Sequence, residues 1–198
     1  MRLFPWLLLH PNVPKPLHGL APRVILGDSW WREQKEKAKQ KSDNFCQACG
    51  VSPKEAKYHQ WLETHECYSI YANGKMEFKT CVALCHSCHS FIHDGRMQMM
   101  VNSGHCSEEK YFDILDHGNK ILSNWWGRNI KVKDKFNGSV DPQFINKANS
   151  QNSILRWEYW EDDDCRWGDY HLILYGQRYE SKFRDYCHWL EYYAKKSK

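Results

Sequence analysis

Two CxxC pairs, Cys46-Gln-Ala-Cys49 and Cys85-His-Ser-Cys88, stand 35 residues apart and constrain this chain more than any other feature. A CxxC turn sets two thiolates one edge of a zinc tetrahedron apart, so two such turns fill four positions and leave none open. The spacing predicts a structural Zn2+ on Cys46, Cys49, Cys85 and Cys88. The other cysteines, Cys67, Cys81, Cys106, Cys165 and Cys187, lack comparable spacing and read as small buried hydrophobes. An odd total of 9 does not suit a disulfide framework. No export signal is evident either: the apolar run Leu3 to Leu9 is broken by Pro5, has only Arg2 as a charge ahead of it and is far too short to span a bilayer. That run reads as a segment docked on a core, and a reducing, cytoplasmic location is expected.

A length of 198 residues with 41% apolar and 26% charged side chains permits a buried core and excludes a membrane protein or a disordered tail. Lys plus Arg (28) against Asp plus Glu (24) gives +4, which permits a nucleic-acid partner without demanding one. The enriched residues are 11 His, 10 Trp and 11 Tyr, side chains that ligate metals or stack on bases.

Along the chain, Pro11, Pro14, Pro16 and Pro22 with Gly19 and Gly27 predict an ordered arm. Asp28 or Ser29 then caps a helix reaching about Ser42, whose residues 32–41 carry Arg32, Lys35, Lys37, Lys39 and Lys41 against Glu33 and Glu36. Such a face is solvated or contacts phosphate. Two strands are expected between Trp61 and Leu84 around a type I′ turn at Asn73-Gly74. A short helix from Cys88, capped near Gly95, should follow. Ser107 with Glu108 and Glu109 starts another helix, reaching Asn119 or, with a kink at Gly118, Trp126. Residues 127–152 are polar, with Lys131, Lys133, Lys135, Asn137-Gly138 and Asp141-Pro142, and read as a linker or surface loop. Beyond it, Ile154 to Trp160 and His171 to Tyr175 read as strands flanking the acidic turn Glu161-Asp162-Asp163-Asp164. Tyr179, Phe183, Tyr186, Cys187, Leu190 and Ala194 form a helical stripe. The expected organisation is an N-terminal arm and basic helix (1–45), a zinc-stapled core with its following helix (46–126), the linker (127–152) and a strand-strand-helix appendage (153–198).

Directly after the second knuckle come His89 and His93, four residues apart on one helix face, and His65-Glu66 lies on the preceding strand. Leu62-Glu63-Thr64-His65-Glu66, Leu84-Cys85-His86-Ser87-Cys88-His89 and His93 together resemble the zinc-knuckle HNH endonucleases, whose ββα-metal site reads LEVHH and then LCxxCHxxxH. The resemblance covers residues 13–125, from Val13-Pro14-Lys15-Pro16-Leu17 through Asn102-Ser103-Gly104 to Trp125. It is specific in its core motif and suggestive in its flanks, and residues 127–198 have no counterpart.

The resemblance implies an α+β fold with a treble-clef-like zinc knuckle and a ββα-metal core, flanked by helices and carrying the small C-terminal α+β appendage. His65, His89 and His93 then fall where the family holds its catalytic divalent cation, Mg2+ or another. Glu66 occupies the place of the general-base histidine, and Thr80 that of the middle asparagine. The implied activity is metal-assisted hydrolysis of DNA phosphodiesters. In such a reaction the cation stabilises charge on phosphate and leaving oxygen while a base takes a proton from water. Free glutamate, with a pKa near 4.3, is a weaker base than imidazole near 6.5 unless burial raises it. His59, six residues before His65, is a substitute base or a structural residue. A rival reading is a catalytically weakened binding module of the same fold that holds DNA, RNA or a protein. A second is an inhibitor or assembly factor acting on a protein partner through the C-terminal unit. Trp30, Trp31, Trp125, Trp126, Trp157, Trp160, Trp167 and Trp189 are expected mainly to fill the core, with base stacking as the alternative.

Overall fold

A computed structural model describes residues 3–133, 141–158 and 166–196. Lys135, Asn137-Gly138, Trp160, the Glu161 to Asp164 turn and Cys165 lie outside the described residues. The chain is α+β, and its described residues form α1 (Pro22–Lys41, broken into two helical stretches by the non-helical Gly27), β1 (Glu63–Ile70), β2 (Lys75–Leu84), α2 (His86–Ile92), α3 (Asp94–Asn102), α4 (Glu108–Trp126), α5 (Pro142–Gln151), β3 (His171–Leu174), β4 (Gln177–Glu180) and α6 (Tyr186–Lys196). The strands form one mixed sheet in the order β1-β2-β3-β4, parallel between β2 and β3 and antiparallel between β3 and β4. No helix among the described residues is long and apolar enough to cross a membrane.

Two compact units share the chain, and each is discontinuous. Met1–His10, Gln34–His65 and Cys81–Gln151 form the first, and Pro11–Glu33, Glu66–Thr80 and Asn152–Lys198 form the second.

In the first unit, the N-terminal run forms a 3-10 turn, Pro5–Leu9, that buries Trp6, Leu7, Leu8 and Leu9 against α2, α4 and α5. Ser107 caps α4 by accepting from Lys110 N at 3.2 Å, and Gly127 ends it in the left-handed conformation at φ 85°. Gly118 does not kink this helix. It lies where Phe91 of α2 packs so closely that a Cβ would sit 2.1–2.4 Å from three ring carbons, so the residue that reads as a weak point in propensity is a packing requirement. The second knuckle also reads differently in detail. α2 starts at His86, with Cys85 as its N-cap, and ends at Ile92, while Gly95 sits in the first turn of α3 instead of closing α2.

The polar stretch after Gly127 is not a free linker. Asn119 of α4 takes in its backbone: Oδ1 accepts from Val132 N (2.8 Å) and Lys133 N (3.1 Å), and Nδ2 donates to Lys133 O (2.8 Å). Ser123 does the same for Ile130, accepting from its N and donating to its O. Asp141-Pro142, a turn signal in sequence, opens α5, with Asp141 Oδ1 accepting from Gln143 N at 2.9 Å. Asp at the cap and Pro in the first turn is a favoured helix start, and Phe144, Ile145 and Ala148 supply the buried face.

In the second unit, the hairpin turn departs from type I′. Its loop runs over residues 71–74, and Gly74 alone takes positive φ (82°), which suits a longer loop closed by a left-handed glycine. The strand expected from Ile154 to Trp160 reduces, over its described part, to one parallel bridge between Ile70 and Trp157. Trp157 is buried, and its indole N–H donates to Tyr68 O at 2.9 Å. β3 falls where expected. Tyr179 sits in β4 and Phe183 in the following loop, so α6 takes only the later part of the helical stripe.

Candidate metal centres

The knuckles meet within the first unit. The sulfurs of Cys46, Cys49, Cys85 and Cys88 lie within 4.8 Å of one another, and Cys49 Sγ is 3.8 Å from Cys85 Sγ. Tetrahedral zinc with bonds of about 2.3 Å separates its sulfurs by about 3.8 Å, so the donor set and the spacing both fit a structural Zn2+. The first pair sits in a turn closed by Gly50 N to Cys46 O (2.8 Å) and Cys46 N to Val51 O (2.9 Å), with Gly50 at φ 81°. The second sits at the N-terminus of α2, whose unpaired N–H groups favour thiolates. As thiols alone the four compete for ionisation: hydrogen bonds from the other three push Cys46 down, whereas sharing with Cys46 and Cys49 pushes Cys85 and Cys88 up. A divalent cation held by Cys46, Cys49, Cys85 and Cys88 would remove the conflict by taking all four as thiolates. His117 of α4 places Nε2 3.4 Å from Cys88 Sγ, a supporting contact with no sequence signal.

One turn further along α2 the helix presents imidazoles. His89 lies within α2, and His93 is its C-terminal cap, its backbone N–H donating to His89 O. Across from them β1 contributes His65, buried, and the ligating atoms of His65, His89 and His93 all lie within 4.8 Å of one another. His93 Nε2 and His65 Nδ1 are 3.2 Å apart, close to the roughly 3.3 Å separation of two nitrogens on a tetrahedral ion with bonds of about 2.05 Å. Burial first, then the charges of His89, His10, Lys133 and Arg96, push the His93 pKa down to about 3, which keeps its ring neutral and able to ligate.

Glu63, two residues before His65 on β1, organises this region and was not singled out from sequence. Its Oε2 accepts from His89 Nδ1, and its Oε1 accepts from both His86 Nδ1 (2.8 Å) and His59 Nδ1 (2.9 Å). Burial works against its ionisation, but the three imidazole donors outweigh it and hold the carboxyl well below the usual range. A carboxylate behind a ligating histidine fixes its tautomer and ring plane, the common second layer of a metal centre. The signal for it was available, because a strand returns the same face every second residue and Glu63 shares that of His65.

Beneath the cluster, Lys133 is almost fully buried. Its ammonium donates to Phe91 O (2.9 Å), Ile92 O (3.2 Å) and Asp94 Oδ1 (2.9 Å), closing the C-terminal end of α2. Lys133 is therefore unavailable to phosphate, unlike the exposed Lys131. Lys35, Lys37 and Lys41 are exposed, and half-buried Lys39 pairs with Glu36.

Glu66 does not join the histidine group. It belongs to the second unit, where Oε1 accepts from Arg23 N (3.4 Å) and Oε2 from the Tyr68 hydroxyl (3.2 Å). Thr80 lies half-buried on β2 in that unit. His59 is drawn to Glu63 and stacks on Trp61.

Comparison of the chain with protein families, curated proteins and solved structures finds no match. A hairpin followed by a helix beside a four-cysteine cluster, with a separate histidine group, rests on the geometry alone.

Proposed function

We propose that the chain is a divalent-metal-dependent endonuclease of HNH type, hydrolysing DNA phosphodiester bonds. The observation that carries the reading is the histidine triad: a strand and the helix after it bring His65, His89 and His93 within 4.8 Å of one another, separate from the closed cysteine site. Three ligands leave positions for water and substrate.

Bound there, a divalent ion would supply charge stabilisation at the phosphate and acidify water. The protein's own part is to present three imidazoles, to orient His89 through Glu63 and to keep His93 neutral. Glu66 is proposed as proton acceptor on the strength of its place in the motif. An all-imidazole set suits Mn2+, Co2+, Ni2+ or Zn2+ better than Mg2+, which prefers oxygen ligands. Phosphate contacts are proposed for the groove lined by Lys120, Arg128 and Lys131 on the first unit, for the exposed lysines of α1, and for RNA as well as DNA.

The second reading is a weakened module that binds nucleic acid, or a protein partner through residues 153–198. It is favoured by Glu66, whose two oxygens already accept from Arg23 and Tyr68. Incubating supercoiled plasmid with Mn2+, Ni2+ or Mg2+ against an EDTA control separates the two. Nicked or linear product only with metal is the expected result, while retarded but uncut plasmid would favour the binding module. Glu66→Gln, at saturating Mn2+, is expected to lose roughly two to four powers of ten in rate if the carboxylate is the base.

A further inference from the structure

The clasp around Glu63 brings to that carboxylate two imidazoles, His59 and His86, that the proposed nuclease does not use. We propose that His59, Glu63 and His86 form an additional site for a first-row transition cation, distinct from both the cysteine site and the His65, His89, His93 triad.

Donor spacing is the first argument. His59 Nδ1 and His86 Nδ1 stand 2.9 and 2.8 Å from the same carboxylate oxygen. Neighbouring corners of an octahedron with bonds of about 2.1 Å lie about 2.9–3.0 Å apart. All three ligating atoms fall within 4.8 Å of one another. A cation can therefore take these donors with little movement, as a two-histidine, one-carboxylate set with its remaining positions open to water.

Preorganisation is the second. His59 follows Tyr58, at positive φ (75°), and the loop is pinned to α4 because the Lys57 ammonium and the Tyr58 hydroxyl both donate to Asp113, each at 2.6 Å. Trp61 stacks on His59 at 4.4 Å and 16°, fixing its plane. His86 is held by α2. The rings of His59 and His86 lie 3.9 Å apart, centroid to centroid, with both Nδ1 atoms on one oxygen.

Access is the third. Ser90 Oγ lies 3.5 Å from His86 Nε2, at the ring nitrogen that does not face Glu63. The side chains of His59, Glu63 and His86 are 31%, 21% and 13% exposed, so an ion can enter from solvent. Imidazole donors select Zn2+, Ni2+ or Co2+ over Mg2+ and Ca2+.

The test counts Ni2+ on the zinc-loaded full chain by calorimetry and elemental analysis, with zinc measured in each variant to confirm that the fold is kept. Wild type is expected to take two Ni2+ beyond its zinc. His89→Ala/His93→Ala should take one, and adding His59→Gln/His86→Gln to that pair should leave none. No Ni2+ on His89→Ala/His93→Ala, or the same count with and without the His59 and His86 substitutions, overturns the site. A parallel experiment needs no substitution: a Ni2+ anomalous peak between His59, Glu63 and His86 in soaked wild-type crystals supports it, and its absence refutes it. Failure of the nuclease reading appears differently, as an uncut plasmid or as a wild type whose single Ni2+ is lost with His59 and His86 and not with His89 and His93.

Discussion

Replacing Lys133 by methionine is expected to destabilise the first unit far more than loss of a surface lysine would. The ammonium and its partner Asp94 are each 4% exposed at the side chain and lie 2.9 Å apart. Burial pushes the Lys133 pKa down, and Asp94 opposes that shift. Methionine keeps much of the length and the apolar stem but strands a carboxylate and removes the donor from Phe91 O and Ile92 O. Breaking one side of a buried pair costs about 3–5 kcal/mol. For a chain of this size each kcal/mol lowers Tm by about 2–4 °C, so the expected fall is about 6–20 °C. Urea unfolding at neutral pH with zinc present, followed by tryptophan fluorescence, reads the same loss as a lower midpoint. Lys133→Met/Asp94→Leu should recover at least half of it, because an apolar pair of similar volume is often as stable as the ions it replaces. A single variant within about 0.5 kcal/mol of wild type, the range of ordinary surface changes, would refute the reasoning, as would a double variant weaker than the single.

Gly118→Ala should lower Tm despite a helix-propensity gain of about 1 kcal/mol, because the new methyl overlaps the buried Phe91 ring; an unchanged or higher Tm contradicts the close packing of α2 on α4. Cys85→Ser should lose zinc by elemental analysis and unfold the first unit, since metal-binding energy at such a site is folding energy; a folded, zinc-free variant would count against the structural role. If the chain binds DNA, neutralising Lys120, Arg128 and Lys131 should flatten the dependence of log affinity on log salt by roughly one per lost phosphate contact. An unchanged slope would return that groove to ordinary surface, and testing Lys35, Lys37, Lys39 and Lys41 in the same way distinguishes the two basic regions.

The parts of this fold that sequence disclosed are those where local chemistry has few alternatives. Paired cysteines and the Ser107 cap with its acidic first turn each leave a short signature that tertiary packing preserved. The misread parts depended on distant partners. Residues 130–133 carry the polarity of a loop, yet side chains of Asn119 and Ser123 satisfy their backbone, and the Lys133 charge has a buried acceptor set waiting. Asp141-Pro142 starts helices as readily as turns, and only the burial of Phe144, Ile145 and Ala148 decides between them. At the histidine group the four-residue spacing pairs His89 with His93, while His65 enters only through the resemblance. The reach of His59 to Glu63 leaves no local signal, because its loop is fixed by Asp113, 50 or so residues further along the chain.

The central claim is that His65, His89 and His93 hold a hydrolytic cation independent of the structural zinc. Its most direct measurement is single-turnover cleavage of a labelled DNA duplex by wild type and His93→Ala at saturating Mn2+, with zinc content and Tm determined on the same samples. The expected result is Mn2+-dependent cleavage by wild type, abolished in His93→Ala while one zinc per chain is retained and Tm is nearly unchanged. Cleavage by His93→Ala at the wild-type rate, or its loss of the zinc together with activity, would contradict a separate catalytic centre.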